Sequence, residues 1–482
     1  MNRKMIASIL GKVLCAEALL MLPSVIVGLI YREAETLAFL PAIGILMLLF
    51  LVMGVKKPED TSFYARDGFF VVAAAWILLS LAGAVPLYLS GCFKTVPDAI
   101  FEIVSGFTTT GATILTEVES LPRCILFWRS FSHWLGGMGV LVFVLAIVPL
   151  SEDRSLHIMR AEAPGPSVGK LVPRMKDTAI ILYGVYTAMT VLLIILLLVG
   201  KMPLFDAVCN AFATAGTGGF AVRNAGIAAY NSAYIEILLA VFMVLFGINF
   251  NLYYFILIGR AKEAFRNEEL HVYLGIVIGS TLLITLNILS RAASFSEALR
   301  QSFFQVSAII TTTGFATVDF TKQWPEFSQH ILLLLMLIGA SAGSTGGGLK
   351  VSRLMLLVKC SVQELRRLIH PNLTVIVRMD GHAVDEATVH DTRTYFNIYV
   401  MILIATTLLL SLNGFDFATN LSAAITCFNN IGPGISRIGP MDNCSIFSGG
   451  SKLLLSLVML LGRLEIFPII VLFSPSAWRK KI

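Results

Sequence analysis

Charge is what this sequence has least of. Asp, Glu, Lys and Arg make up 14% of its 482 residues, where a soluble globular chain carries about 25%. Hydrophobic residues make up 56%, and several segments reach the roughly 20 apolar residues that a membrane-spanning helix needs. This excludes an ordinary soluble domain and points to an all-α polytopic membrane protein. The segment near 5–30 has no small-residue cleavage site and runs straight into a second apolar segment, so it is expected to remain as a helix. Seven cysteines show no CxxC spacing. Cys15, Cys209, Cys360 and Cys427 fall in apolar or helical stretches and read as packing residues, whereas Cys92, Cys124 and Cys444 leave a disulfide open. Catalytic signatures are missing too. There is no HExxH, no GxSxG and no metal-ligand cluster, and the seven histidines are scattered, which argues against an enzyme. His133, beside Trp134 and Gly136–Gly137, reads as a helix-packing residue.

The charge that is present is unevenly placed. The net charge of +6 is no nucleic-acid signal, because 22 of the 36 Lys and Arg fall in one set of alternate loops: Arg3–Lys4, 56–66, 154–176, 260–266, 353–393 and 479–481. The opposite loops hold 11, and Lys12, Lys350 and Arg463 lie in apolar helical stretches. Cytoplasmic loops carry the excess of Lys and Arg, so both termini are expected to be cytoplasmic.

Against this background four glycine-bearing loops recur: TTTGAT at 108–113, AGTGGF at 215–220, TTTGFAT at 311–317 and NNIGPG at 429–434. Aligned on one glycine each, they give Gly111, Gly218, Gly314 and Gly432. Each follows a stretch too short to span a membrane, expected as pore helices at 97–107, 204–214, 298–310 and 417–428. Pro97 suits a first helical turn, and Asp98 and Asp206 favour helix N-termini. Asp416 is placed further out in a degenerate fourth copy. Ten spanning helices are expected, near 5–30, 37–55, 69–90, 125–150, 177–199, 233–259, 272–290, 330–359, 394–412 and 452–473. This gives an N-terminal two-helix region (1–67) and pore repeats at 68–150, 177–267, 268–359 and 394–482. Cytoplasmic linkers at 151–176 and 360–393 read as surfaces for a partner. By the charge map all four loops enter from the outer face, in a single repeat orientation.

Irregular backbone at membrane depth is tolerated only when it is buried in protein or lines a water-filled path. A dehydrated cation needs oxygen ligands, and inward carbonyls of an extended loop supply them. Glycine permits the positive φ that such a loop requires, and threonine adds a small hydroxyl with a stiff χ1. The ion-binding set is therefore read as Thr109, Thr110 and Gly111, then Gly216, Thr217 and Gly218, then Thr312, Thr313 and Gly314, and Asn430, Ile431 and Gly432 in the divergent fourth loop. The C-terminal dipoles of four half-helices converge there and favour a cation.

These loops, with HWLGGMGV (133–140), EAPGP (162–166), SAGSTGGGLK (341–350), HPN (370–372) and GRLE (462–465), give a chain that resembles the Trk/Ktr/HKT superfamily of potassium transporters. The resemblance is closest to the bacterial TrkH subfamily and covers nearly the whole chain. It implies four helix–pore loop–helix units around one pore plus two extra N-terminal helices. It implies uptake of K⁺ across the bacterial inner membrane by a homodimer among membrane lipids, with a cytosolic nucleotide-binding regulatory subunit of the TrkA type, and no organic cofactor or nucleic acid. Gly111 favours potassium, since sodium-favouring relatives tend to carry serine there. A sodium-coupled potassium transporter of the Ktr kind is the alternative. Each loop has one aligned glycine rather than a TVGYG run, so a short filter is expected.

The helix near 330–359 contains GASAGSTGGGLK at 339–350. Gly343, Gly346, Gly347 and Gly348 remove helix propensity, and the neighbouring Ser and Thr compete for backbone hydrogen bonds. An unwound intramembrane loop is expected. It is not a phosphate-binding loop, because Leu349 separates Gly348 from Lys350 and no Ser or Thr follows the lysine. Lys350 and Arg463 are costly at membrane depth. Lys350 snorkelling to the interface and Arg463 in a structural ion pair are the plain readings. The resemblance implies instead a gate made by the glycine loop, with Arg463 as a positive barrier nearby. Glu465, two positions on, does not share a helical face with Arg463.

Overall fold

A computed structural model describes residues 2–55, 63–139, 175–370 and 376–474. The architecture is helical, and among the described residues the strands are confined to a two-residue hairpin, Arg378–Met379 against His382–Ala383. Among the described residues six helices are long and apolar enough to cross a membrane: Arg3–Tyr31, Ala34–Met53, Arg66–Leu89, Thr178–Val199, Glu268–Ile288 and Glu386–Asn413. Many of their large apolar side chains face outward, among them Leu48, Ile278, Leu286, Met401 and Leu408. Threonines, asparagines and a Glu–Arg pair lie inside, the polarity expected when the solvent is lipid.

The four pore helices are Val96–Phe107, Leu204–Ala215, Phe295–Ile310 and Phe417–Phe428. Their starts follow local capping chemistry. The Thr95 hydroxyl accepts from Asp98 N–H, Ser294 from Glu297 N–H, and the Asp416 carboxylate from Thr419 N–H. Asp416 lies further out than Asp98 and Asp206, as expected, and serves as the N-cap of the fourth helix; the Thr419 hydroxyl helps hold its carboxyl below the ordinary value.

The closing helices depart from the expected continuous spans. The first runs Arg123–Gly137; its expected extension to 150, the 151–176 linker up to 174 and the EAPGP motif lie outside the described residues, as do Pro371 and Asn372 of HPN. The second is broken at Gly247–Asn249 into Ala233–Phe246 and Phe250–Leu257, bent by 89°. The third is broken as expected, into Glu326–Ile338 and Val351–Ile369. The fourth stops at Arg463 and resumes at Phe467. The breaks in the second and fourth closing helices were not expected, because apolar composition alone does not register a bend. The 360–393 linker holds the end of Val351–Ile369, the hairpin and the start of Glu386–Leu410.

The N-terminal helices pack on each other, with Gly11 against the Gly54 backbone, and on the first repeat. Phe39 and Phe107 both meet the Trp128 ring edge-to-face. The Glu33 carboxylate accepts from Arg123 N–H and Cys124 N–H at 2.7 and 2.9 Å, satisfying two orphan donors of the first closing helix. All seven cysteines are free.

Candidate cation pathway

Each pore helix ends in the same reversal. The residue after its last turn takes a left-handed conformation: Thr109, Thr217, Thr312 and Asn430, with φ of 55°, 53°, 60° and 56°. In three loops the next N–H bonds back to the helix, from Thr110 to Ser105 O, Gly218 to Ala213 O and Ile431 to Thr426 O. This is the Schellman closure, where glycine is usual. Threonine there is a strained choice, of order 1–3 kcal/mol each. Its hydroxyl has a use: Thr109 and Thr217 donate to the carbonyls of Thr108 and Gly216 at 2.7 Å.

Two residues further on, φ is positive again, at Gly111, Gly219, Gly314 and Gly432 (75°, 75°, 75° and 98°). The second loop therefore aligns on Gly219, one residue beyond the expected Gly218. Alternating the sign of φ orients successive peptide planes alike, unlike a strand, where they alternate.

The four loops form a closed ring. A Cβ at Gly111 would lie 1.9 Å from the Gly218 oxygen, one at Gly219 1.9 Å from the Thr313 oxygen, one at Gly314 1.9 Å from the Ile431 oxygen, and one at Gly432 2.8 Å from the Thr110 oxygen. Each glycine thus abuts the carbonyl preceding the glycine of the next loop. Thr110, Gly218, Thr313 and Ile431 occupy one level and the four glycines the next. Gly218 is glycine for a separate reason: a Cβ there would fall 2.3 Å from Nδ1 of His133. Gly216 packs under the His133 backbone in the same way. A cavity of about 150 Å³ opens above the ring, with Gly111, Gly219, Gly314 and Gly432 in its lining.

His133 does more than pack. Its Nε2 accepts from Phe220 N–H at 3.3 Å, so Nδ1 carries the proton and donates to Gly106 O at 2.8 Å. A neutral imidazole thus ties the first pore helix to the second loop.

On the opposite side of the ring from this cavity lies the glycine loop, 339–350. Its neck is pinched by Lys350 N–H to Ile338 O and Val351 N–H to Ala340 O, with Gly339 and Gly348 in backbone contact. Gly347 N–H donates to the Thr312 hydroxyl at 2.7 Å, and Gly347 presses on the Asn429 carbonyl, while Gly346 presses on Thr311. Gly343 docks into the break of the second closing helix. Its carbonyl accepts from Phe250 N–H, Ser341 N–H donates to Gly247 O, and Thr345 donates to Phe246 O.

Lys350 is outside any helix, at φ 76°, and its ammonium turns inward onto the Gly346 carbonyl. Arg463 donates to Thr345 O at 2.9 Å, to Gly137 O at 2.6 Å and to Gly136 O. It therefore clasps the glycine loop to the C-terminal carbonyls of the first closing helix, where the dipole favours a cation. Glu465 lies past the helix end with φ 52° and pairs with Arg353, whose guanidinium stacks on Tyr395. The expected Gly111, Gly314, Gly432 and threonine positions thus meet in one ring, and Gly343, Gly346–Gly348, Lys350 and Arg463 meet beneath it.

Three comparisons bear on this arrangement. The family model for TrkH, described as a cation transport protein, matches residues 42–481. The chain belongs to the TrkH family of cation transport proteins. It is 36% identical to the Trk system potassium uptake protein TrkH of Escherichia coli K12, over 94% of this chain and 95% of that one. It is 35% identical to the namesake from Salmonella typhimurium, with the same coverage. The crystal structure of the potassium transporter TrkH from Vibrio parahaemolyticus superposes with a TM-score of 0.90 at 31% identity, over 99% of this chain and 100% of that one. The TrkH architecture, a multi-pass membrane protein with four pore-loop repeats and two added N-terminal helices, is that of this chain.

Sequence reasoning passed over Glu269. One of its oxygens accepts from Ala342 N–H at 2.7 Å and Ser352 N–H at 3.1 Å, holding both limbs of the glycine loop. A carboxylate opening an apolar helix was the available signal. Glu269→Ala is expected to destabilise the protein by about 2 kcal/mol through two unpaired N–H groups, and Glu269→Gln by less; thermal unfolding of the purified variants in detergent checks this.

Proposed function

We propose that this chain conducts K⁺ inward across the bacterial inner membrane, with its termini in the cytoplasm. The ion passes the ring of Thr109–Gly111, Thr217–Gly219, Thr312–Gly314 and Asn430–Gly432, stripped of water and held mainly by backbone oxygens. The observation that carries this reading is the closed ring in which every glycine meets the neighbouring loop's carbonyl. Four helix C-termini aimed at it supply negative potential without a buried carboxylate in the path. The potassium uptake named for the relatives above supports the choice of ion. The glycine loop at 339–350, clasped by Arg463, is the gate: it lies directly under the ring and is tied to it by one hydrogen bond, Gly347 to Thr312. A homodimer and a cytosolic nucleotide-binding subunit of the TrkA type complete the assembly, with the 151–176 and 360–393 segments as its docking surfaces. The pore units follow 68–150, 177–267, 268–359 and 394–482.

The test is K⁺ and Na⁺ flux in proteoliposomes, with and without the regulatory subunit and nucleotide. K⁺ flux in excess of Na⁺ flux, modulated by the subunit, is the expected result. Equal flux of both ions would reject the filter, and a strict requirement for Na⁺ would favour the sodium-coupled mechanism.

A further inference from the structure

The first repeat carries a buried ion pair behind its filter loop. Glu102, on the first pore helix, is fully buried, and Arg129, on the closing helix, is 2% exposed. Glu102 Oε1 accepts from Arg129 Nε at 2.9 Å, Arg129 Nη2 at 2.6 Å and the Thr113 hydroxyl at 2.8 Å, and Oε2 accepts from Ile114 N–H at 3.1 Å. Thr113 and Ile114 are the limb of the first loop just beyond Gly111. The Thr113 carbonyl in turn accepts from Cys444 N–H at 2.8 Å, in the segment that follows the fourth loop. On its other side the Arg129 guanidinium lies 4.1 Å over the Phe220 ring. Phe220 directly follows Gly219, and its N–H is held by His133. One charge pair therefore touches the first two loops of the ring directly and the segment after the fourth through Thr113.

The other repeats lack it. Nine residues before each filter glycine stand Glu102, Asn210, Gln305 and Ala423. Gly136 and Gly462 each press on the last carbonyl of their pore helix, Phe107 and Phe428, where a Cβ would lie 1.8 and 1.9 Å away. This sets the first and fourth closing helices in register, so Arg129 corresponds to Leu455, seven residues before its glycine. The fourth repeat fills the same space with buried Ala423 and Leu455. An apolar pair is thus a workable solution at this place, and a buried ion pair seldom gains stability over one. What the pair adds is direction: a forked guanidinium and a carboxylate fix the limb of the loop in a way that methyl groups do not.

We propose that Glu102 and Arg129 are positioning residues for cation discrimination, holding the mouth end of the first two filter loops at a fixed spacing. The proposal rests on the reading of the ring as a K⁺ filter. The test exchanges the pair for its fourth-repeat counterpart, Glu102→Ala with Arg129→Leu, which leaves no unpaired charge. In proteoliposomes the K⁺/Na⁺ uptake ratio is expected to fall roughly tenfold, the scale of losing charge-assisted hydrogen bonds at one site. Maximal K⁺ flux should stay within about twofold, since no residue of the ring itself is changed. Arg129→Lys keeps the charge and loses the fork, so it should lose part of the ratio; it serves as the readout if the double variant does not fold. Gly111→Ser runs beside them. If that variant loses selectivity while the double variant and Arg129→Lys retain it, the pair is packing only and the proposal fails. If Gly111→Ser also retains it, the filter reading falls, and the proposal with it.

Discussion

Gly219→Ser is expected to lower the preference for K⁺ over Na⁺ by at least about tenfold, a loss of about 1.4 kcal/mol in discrimination. Two costs combine. The residue sits at φ 75°, where an L side chain costs roughly 1–2 kcal/mol. Its Cβ would fall 1.9 Å from the Thr313 oxygen, so the carbonyl of the next loop must move. Gly111→Ser and Gly314→Ser face the same geometry against Gly218 and Ile431 and should behave alike. Gly218→Ser is the informative contrast. That residue has no positive φ, and its Cβ meets the His133 ring instead of a loop carbonyl. It should cost stability more than selectivity. Uptake ratios in a potassium-transport-deficient bacterium, with expression measured in parallel, decide this. A larger selectivity loss at 218 than at 219 would overturn the register.

Shortening the glycine loop within 343–348 should raise basal cation flux about tenfold, as expected if closure is favoured by roughly 1.4 kcal/mol that the deletion removes. The loop is held by Glu269 at both limbs, by the break at Gly247–Asn249, and by Thr312 and Arg463. It therefore has one well-defined position under the ring. Arg463→Ala removes the clasp to Thr345, Gly136 and Gly137 but leaves the loop's other anchors in place, and should raise flux less than the deletion. Flux from reconstituted vesicles unchanged in both variants would exclude a gating role for this loop.

Several elements were legible in the residues because their causes are local. The pore helices could be placed from length, Pro97 and the acidic first turns, and their observed ends differ by few residues. The unwinding at 339–350 followed from four glycines among Ser and Thr. The register of the second loop failed because AGTGGF offers three glycines and composition does not choose among them. Asp98 and Asp206 held the answer: counted to Gly111 and Gly219, each lies 13 residues before its glycine. The breaks at Gly247–Asn249 and Leu464–Ile466 were missed, since the surrounding residues are apolar enough to read as continuous helix.

By itself the sequence determined the membrane class, the fourfold repeat and the unwinding at 339–350, all consequences of hydropathy, spacing and backbone propensity along the chain. Only the tertiary structure decided which carbonyl meets which glycine, that Arg463 and Lys350 turn inward onto backbone oxygens, that Glu102 pairs with Arg129, and that Glu269 holds a loop remote in sequence. Those contacts join residues up to hundreds of positions apart, and a buried polar group is satisfied by whatever donor or acceptor the fold brings to it, which no local pattern specifies. The ring of glycines is the case in point: each glycine is permitted by its own φ, but required by the carbonyl of the next repeat.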